Sequence, residues 1–185
     1  ALTLNEDERS EEYFLKKLDK LFIDSVKRQL ISDVPLGVFL SGGIDSTLVT
    51  NYMKKANPDA KIKSFSVGFE DGKNVDERSY ARKASEVIGT DHKEYVIPKD
   101  IIKILPDIVY HTDEPMADPA LMPLHFLSKM ASKEVTVVLT GDGGDELFLG
   151  CEQYRHLSRA ESLSKIPFAS FTSKKAVDIM PLRFF

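Results

Sequence analysis

The sequence has a single cysteine, Cys151, no long apolar run and no excess of positive charge. One cysteine excludes an internal disulfide framework and favours a reducing compartment, so we expect a cytoplasmic protein. No apolar run approaches the ~18 residues of a membrane-spanning helix, so no membrane association is expected. There are 25 Lys and Arg against 29 Asp and Glu, a formal net charge of -4, so nucleic acid is not an expected partner either.

Glycine and proline are also modest in number. With 10 Gly, 9 Pro and 42% hydrophobic residues, the chain is not collagenous, of low complexity or wholly disordered. Its 185 residues suit one domain. We predict an N-terminal helical segment over residues 1–33, packed on a domain over residues 34–185. Because the sequence starts at Ala1 and stops at Phe184-Phe185, we expect a piece of a larger protein, truncated at both ends.

Hydrophobic periodicity predicts helices and strands that alternate along the chain. The predicted helices cover residues 10–31, 47–55, 76–88, 100–110 and 120–131, and the predicted strands cover residues 36–40, 62–69, 92–97 and 135–139. From Leu147 onward the sequence is mostly helical in character, with a break at Pro167. The alternation indicates an α/β fold, a parallel sheet with helices on both faces. We expect the strand order 3-2-1-4, in which the loops after the first and fourth strands face each other.

The loop after the first predicted strand has the composition of an anion-binding site. It reads Ser41-Gly42-Gly43-Ile44-Asp45-Ser46. The two glycines let backbone N–H groups converge on an oxygen-rich ligand, and the next helix presents its positive end there. Asp45 would repel a phosphate unless a cation lay between them, and Mg²⁺ commonly bridges carboxylate and phosphate oxygens. The alternative interpretation is an ordinary strand-to-helix turn.

The loop after the fourth predicted strand is acidic. It reads Thr140-Gly141-Asp142-Gly143-Gly144-Asp145-Glu146. Asp142 and Asp145 are three residues apart, so a helical turn beginning there would place both on one side. One of them, with Asp45, would complete a magnesium site; the alternative is a solvated acidic turn. The spacings of a Walker loop, a dinucleotide-binding glycine pattern and an EF-hand are not met.

Together these segments resemble the synthetase domain of glutamine-hydrolysing asparagine synthetase. The first loop is similar to the PP-loop of ATP pyrophosphatases, which share the adenine nucleotide α-hydrolase-like fold. The narrower resemblance covers residues 10–155 and rests on the whole set of motifs. Besides the first loop, these motifs are residues 32–37, 64–69, 113–115 and 141–148.

The resemblance implies an ATP-dependent carbon–nitrogen ligase. In that family MgATP activates the side-chain carboxylate of aspartate as an acyl-adenylate, pyrophosphate leaves, and ammonia derived from glutamine displaces AMP. Asp45 and Asp145 would be the Mg²⁺ ligands. Asp142 matches an acidic position near the acyl-adenylate, where many members carry Glu. The pyrophosphate would lie on Ser41, Gly42, Gly43 and Ser46, and the adenosine pocket would comprise Leu40, Val67, Thr140 and Gly141.

The resemblance also implies parts that this sequence does not contain. Family members begin with a glutaminase domain that carries a catalytic N-terminal cysteine, and their catalytic lysine lies downstream, beyond Phe185 here. We therefore expect this polypeptide to bind MgATP without making asparagine. A homodimer is among the assemblies that the resemblance allows.

Two other functions stay open from the sequence. A related amidotransferase or cyclase acting on a sugar, peptide or β-amino acid carboxylate would have the same ATP site, and a non-catalytic ATP-binding module would need no acceptor. A tRNA-modifying enzyme is disfavoured by the negative charge and the absence of paired cysteines. We expect Cys151 and the histidines to be structural or surface residues, although His111, close to residues 113–115, is a candidate for the acceptor pocket.

Overall fold

The structure, a computed structural model, describes residues 9–70, 76–114, 116, 118–151 and 154. It divides into two units, residues 1–141 and residues 142–185. The boundary predicted between residues 33 and 34 stays a prediction. His156, the predicted break at Pro167 and the terminal phenylalanines lie outside the described residues. Within those ranges, no helix is both long enough and apolar enough to cross a membrane.

Strands and helices alternate along the described part of the chain. The first unit contains α1 (Glu11–Gln29), β1 (Leu36–Phe39), α2 (Ile44–Ala56), β2 (Lys63–Phe69), α3 (Arg78–Ile88), β3 (Asp91–Ile97), a 3-10 helix (Ile101–Ile104), α4 (Leu105–Thr112), α5 (Leu121–Ala131) and β4 (Val137–Leu139). The second unit contains α6 (Gly144–Phe148). The elements predicted as far as β4 are confirmed, with two differences.

The first difference is the start of α2, which begins at Ile44 and not at Thr47. Gly43 is its N-cap in an extended conformation, so half of the predicted loop forms the first helical turn. The second difference is that the helix predicted over residues 100–110 is a 3-10 helix followed by α4. Pro106 lies in the first turn of α4. Proline is tolerated there but would break a continuous helix, because it has no N–H and its ring collides with the preceding turn.

The four strands form one parallel sheet in the order β3-β2-β1-β4, as predicted. Val38 in β1 pairs with Ser64 of β2 on one side and with Leu139 of β4 on the other. The strand order reverses at β1, because the chain moves outward through β2 and β3 and then returns to the other side of β1. In an open parallel sheet, ligands bind at such a reversal, outside the carboxyl ends of the strands.

Helices cover both faces of this sheet, which confirms the predicted layers. On one face, Val38 and Ile62 pack with α1 and α2, through Val26, Tyr52 and Met53. The other face is covered by α5, and its buried cluster comprises Phe65, Leu127, Ala131 and Val135. Each of these apolar clusters removes one side of the sheet from water, which is the main stabilising contribution to such a fold.

The N-terminal helix is attached to α2 by polar as well as apolar contacts. The Ser10 hydroxyl accepts a hydrogen bond from the backbone N–H of Tyr13, which caps α1 as the sequence predicts. Asp19 accepts a hydrogen bond of 2.5 Å from the Tyr52 hydroxyl and one of 2.9 Å from Lys55 Nζ. The hydrogen bond to Asp19 raises the pKa of Tyr52 to about 12. The phenol therefore stays a donor through the neutral range.

A buried polar network joins β2 to β3 on the face covered by α3. His92 Nδ1 lies 2.8 Å from Ser64 Oγ, and His92 Nε2 lies 3.1 Å from Ser66 Oγ. The network continues from Ser64 to Thr90 and from Thr90 to Ser85, each step 2.7 Å. Burial lowers the pKa of His92, and the Glu94 carboxylate offsets this only in part. The imidazole is therefore held neutral in the folded state.

This network predicts a pH-dependent stability. A histidine whose pKa is lowered by folding stabilises the protein above its ordinary pKa of about 6.5, and that stabilisation is lost as the pH falls toward the lowered value. We expect the free energy of unfolding to decrease between about pH 7.5 and about pH 5.5 more steeply in the native chain than in His92→Gln. Urea titrations at the two pH values measure the free energy of unfolding of each protein. An equal decrease in the native chain and in His92→Gln would contradict the prediction.

Candidate functional site

The loop from Ser41 to Ser46 lies at the carboxyl end of β1, where the strand order reverses. The Leu40 N–H donates to the carbonyl of Phe65 over 2.9 Å, so the chain is held against β2 up to the residue before the loop. Gly42 adopts a φ of 83°. That value lies in the left-handed region, which costs an L-residue energy and glycine almost nothing.

Two serine hydroxyls brace this loop from inside. Ser41 Oγ and Ser46 Oγ are 2.9 Å apart and share a hydrogen bond. Ser46 Oγ also accepts from the Ser41 N–H at 3.2 Å, and Ser41 Oγ accepts from the Gly43 N–H at 3.2 Å. Ser46 is buried, and Ser41 is half-buried. The resemblance implies that pyrophosphate lies on both serines; the structure also shows their hydroxyls bonded to the backbone of the loop.

The N-terminus of α2, with the backbone N–H groups of its first turn, lies within the same loop. Gly43, the N-cap, has no side chain with which to cap this helix. The positive end of the 13-residue helix is therefore available to an anion. Asp45 lies in this first turn. Thr47 Oγ1 is buried without a hydrogen-bond partner among the described residues, an unusual condition for a buried hydroxyl.

The end of β4 closes on this turn from the neighbouring strand. A Cβ added to Gly141 would lie 2.8 Å from Ser46 N and 3.0 Å from Asp45 Cβ. Gly141 therefore lies directly against the first turn of α2. The sequence-based expectation that the ends of the first and fourth strands meet is confirmed as far as Gly141.

The other residues predicted for the adenosine pocket are Leu40, which follows β1, and Val67, which lies on β2. Leu40 is 1% exposed, and its N–H donates to the carbonyl of Phe65. Val67 is half-buried and packs beside the Phe65 cluster. The assignment of both residues to an adenosine pocket stays a prediction.

The acidic residues of the second loop belong to the second unit. The prediction of one helical turn that contains both Asp142 and Asp145 is wrong. The helix α6 begins only at Gly144, after Gly143 turns the chain with a φ of 90°. Asp145 is in the first turn of α6, and Asp142 precedes the helix. Both residues are exposed. Across the described residues, no cluster of three or more His, Cys, Asp or Glu has the geometry of a metal site.

The thiol near these carboxylates has the character expected of a structural residue. Cys151 is half-buried. Desolvation raises the pKa of the Cys151 thiol, and the charges of Asp145 and Glu146 add to this shift. A raised pKa keeps the thiol protonated and weakly nucleophilic at neutral pH.

Two histidines face a separate groove between α4 and α5. The rings of His111 and His125 have centroids 5.8 Å apart. They line a cavity of about 590 Å³ together with other residues of these helices, and no residue of the 41–46 loop contributes to it. The assignment of His111 to an acceptor pocket therefore stays a prediction.

The sequence did not predict that α3 would contact the loop. A Cβ added to Gly42 would lie 2.5 Å from the backbone nitrogen of Ala81 and 2.6 Å from Tyr80 Cβ. The first turn of α3 is in turn held by an ion pair of Asp76 and Arg78. The only sequence signal for this arrangement was Gly68, a glycine inside a predicted strand, which often marks a close approach of another chain segment.

Comparison with known proteins identifies relatives of this arrangement. A sequence model of the asparagine synthase family matches residues 17–180. Asparagine synthetase [glutamine-hydrolyzing] 1 of Bacillus subtilis is 41% identical over 158 residues, which are 85% of this chain and 24% of that protein. A putative asparagine synthetase of Mycobacterium tuberculosis H37Rv is 44% identical over 146 residues, 78% of this chain and 21% of that protein. The chain thus spans about a quarter of these relatives.

A solved structure supports the fold. The glutamine-dependent NAD+ synthetase of Acinetobacter baumannii, in complex with adenosine diphosphate, aligns with a TM-score of 0.53 and 19% identity over 82% of this chain and 30% of that chain. At this identity the likeness establishes the fold alone, which is the PP-loop, adenine nucleotide α-hydrolase-like fold. With the family match over residues 17–180, the chain belongs to the asparagine synthase family.

Proposed function

We propose that this chain is the ATP-binding part of an asparagine synthetase that acts in the cytoplasm. In this proposal, it activates the side-chain carboxylate of aspartate with ATP, for later attack by ammonia released from glutamine in a separate glutaminase domain. Membership of the asparagine synthase family supports the reaction class. The single structural observation that carries the proposal is the contact of Gly141 with Asp45 and Ser46, because it joins the two motif loops at the ligand-binding edge of the sheet.

The phosphate chain would lie on the loop between β1 and α2. The positive end of α2, beside a glycine pair that leaves room for a ligand, suits an anion with several oxygens; the Gly43 N–H itself donates to Ser41 Oγ. The orphaned hydroxyl of Thr47 needs a polar partner, and a phosphate oxygen is a group of that kind. Ser41 and Ser46, already joined to each other, would keep the loop in shape while pyrophosphate departs.

The carboxylates of the two motif loops are also ligands of the kind that a magnesium ion binds. Mg²⁺ commonly binds one or two protein carboxylates together with substrate phosphates and water. Asp45 and Asp145 would supply two carboxylates. Bound there, the ion would neutralise the charge that develops on the leaving pyrophosphate.

The reaction needs little covalent chemistry from the chain itself. A carboxylate oxygen of aspartate would attack the α-phosphorus of ATP while the bond from that phosphorus to the β-phosphate bridging oxygen breaks. Ammonia would then attack the acyl carbon and AMP would leave. Thr140 and Gly141 would hold the adenosine with Leu40 and Val67, and Asp142 would lie near the acyl-adenylate. We also propose that the whole protein has a glutaminase domain and a catalytic lysine downstream of this chain, and that it forms a homodimer.

Formation of AMP and pyrophosphate tests this function. We expect this chain to bind MgATP, and the full-length protein that contains it to form both products when aspartate is present. Glutamate, one methylene longer, serves as the matched control and should not replace aspartate. Turnover that requires a sugar, peptide or β-amino acid carboxylate would instead support the related amidotransferase or cyclase. If the full-length protein bound ATP but turned over no carboxylate, that result would support a non-catalytic module.

A further inference from the structure

The first turn of α3 forms a wall behind the PP-loop. Gly42 lies so close to Tyr80 and Ala81 that no Cβ fits between them. Contact is therefore made backbone to backbone, with no flexible side chain to absorb a displacement. Because packed protein interiors have little free space, a shift of this turn has to be transmitted to the loop.

The pair of Asp76 and Arg78 lies at the start of that turn. Glu77, the N-cap of α3, makes no side-chain capping bond. Asp76 Oδ1 accepts instead from the Arg78 N–H at 3.1 Å and from Arg78 Nε at 2.8 Å, and Asp76 Oδ2 accepts from Arg78 Nη2 at 2.5 Å. The hydrogen bonds from Arg78 lower the pKa of the Asp76 carboxyl, which keeps it ionised. Two-pronged, charge-assisted bonds of this kind fix geometry well.

The same pair rests on the carboxyl end of β2. A Cβ added to Gly68 would lie 2.5 Å from Asp76 Oδ1 and 2.8 Å from Arg78 Cδ. Gly68 follows Val67, which is predicted to contact the nucleotide. The pair therefore connects the end of β2 to the first turn of α3, and through that turn to Gly42.

We propose that Asp76 and Arg78 are positioning residues for the nucleotide: seated on Gly68, they hold the first turn of α3 against Gly42 and so fix the backbone of the PP-loop. This inference deepens the proposed function and rests on it for the identity of the ligand. Neither side chain needs to touch ATP. Their effect passes through the backbone of residues 80 and 81.

A second ion pair on the same helix provides a matched control. Arg82 donates to Glu94 on β3 through Nε at 2.9 Å and through Nη2 at 2.6 Å. It ties α3 to β3, and neither residue is among the atoms nearest to a Cβ added at Gly68 or at Gly42. Arg82→Met thus removes a two-pronged ion pair from α3 and leaves the hydrogen bonds between Asp76 and Arg78 in place.

The experiment compares Arg78→Met with Arg82→Met in the whole chain. We expect Arg78→Met to weaken binding of MgATP about tenfold, and Arg82→Met to leave it nearly unchanged, at similar losses of thermal stability. Hydrogen exchange of the Ser41 and Gly43 amides, both bonded inside the loop, should accelerate only in Arg78→Met. Should Arg78→Met fold poorly, Arg78→Lys keeps the charge without the two-pronged bond, and a smaller shift of the same kind is expected.

The outcomes separate this inference from the proposed function. Hydrogen exchange needs no ligand, so faster exchange of the loop amides in the Arg78 variants supports the positioning role by itself. If the native chain bound no MgATP, the proposed function would be refuted, but this support for the positioning role would remain. Equal effects of Arg78→Met and Arg82→Met on the loop amides would overturn the inference, since both would then act through stability alone. Unchanged loop exchange in both Arg78 variants would overturn it as well.

Discussion

Replacing Asp45 and Asp145 together by asparagine is expected to weaken binding of MgATP about a hundredfold or more. The two changes remove both carboxylates proposed for the magnesium ion and keep the size of each side chain. Binding of ATP in the presence of EDTA should not weaken, and should improve slightly, because two negative charges no longer face the phosphates. Calorimetric titrations with and without Mg²⁺ measure both effects in one protein.

Glu146→Gln is the matched control for this double variant. Glu146 adjoins Asp145 in the first turn of α6 and has no proposed role. Its neutralisation should leave the magnesium dependence as it is in the native chain. If the double variant kept the native dependence on Mg²⁺, the two carboxylates would not be the metal ligands.

Replacing Gly42 by alanine is expected to destabilise the chain by about 2–4 kcal/mol. Roughly 1 kcal/mol arises from placing an L-residue at a positive φ, and about 1–3 kcal/mol arises from overpacking against α3. The added Cβ would lie 2.5 Å from Ala81 N, a backbone atom that cannot rotate away. The free energy of unfolding from urea titration measures the loss, and MgATP binding should fall with it.

Gly89→Ala separates the two contributions. Gly89 ends α3 with a φ of 78°, close to the 83° of Gly42, but a Cβ added there meets nothing within 4 Å. This variant should lose only about 1 kcal/mol, from the backbone conformation alone. If both variants lost the same stability, the close contact of Gly42 with α3 would have no energetic consequence.

Much of the fold could be predicted because local patterns and general rules agree. Short apolar runs such as residues 36–40 alternate with helical periodicity, and that alternation permits few arrangements other than a parallel sheet. The order β3-β2-β1-β4 then brings Thr140 and Gly141 to the loop after β1. The resemblance of the motifs to asparagine synthetase is likewise confirmed by the family match.

The structure differs from the sequence-based predictions where backbone conformation or contacts between distant segments determine the local arrangement. Asp142 and Asp145 have helical spacing, yet Gly143 takes a positive φ and starts the helix after Asp142. The wall formed by Tyr80 and Ala81 behind Gly42 joins segments far apart in sequence, and apart from the glycine at position 68 no local pattern indicates such a contact. It depends on how α3 packs on the sheet, which only the folded chain determines.

Paramagnetic broadening by Mn²⁺ in the presence of ATP tests the central claim most directly. Mn²⁺ favours the same oxygen ligands as Mg²⁺, and it broadens the amide resonances nearest to it. The account predicts the strongest, ATP-dependent loss of signal at Gly42, Gly43 and Asp45 in the loop and at Asp145, with little change along α4 and α5. Broadening centred elsewhere, or an unaffected Asp145 beside a broadened loop, would contradict a magnesium ion shared by Asp45 and Asp145 over the nucleotide phosphates.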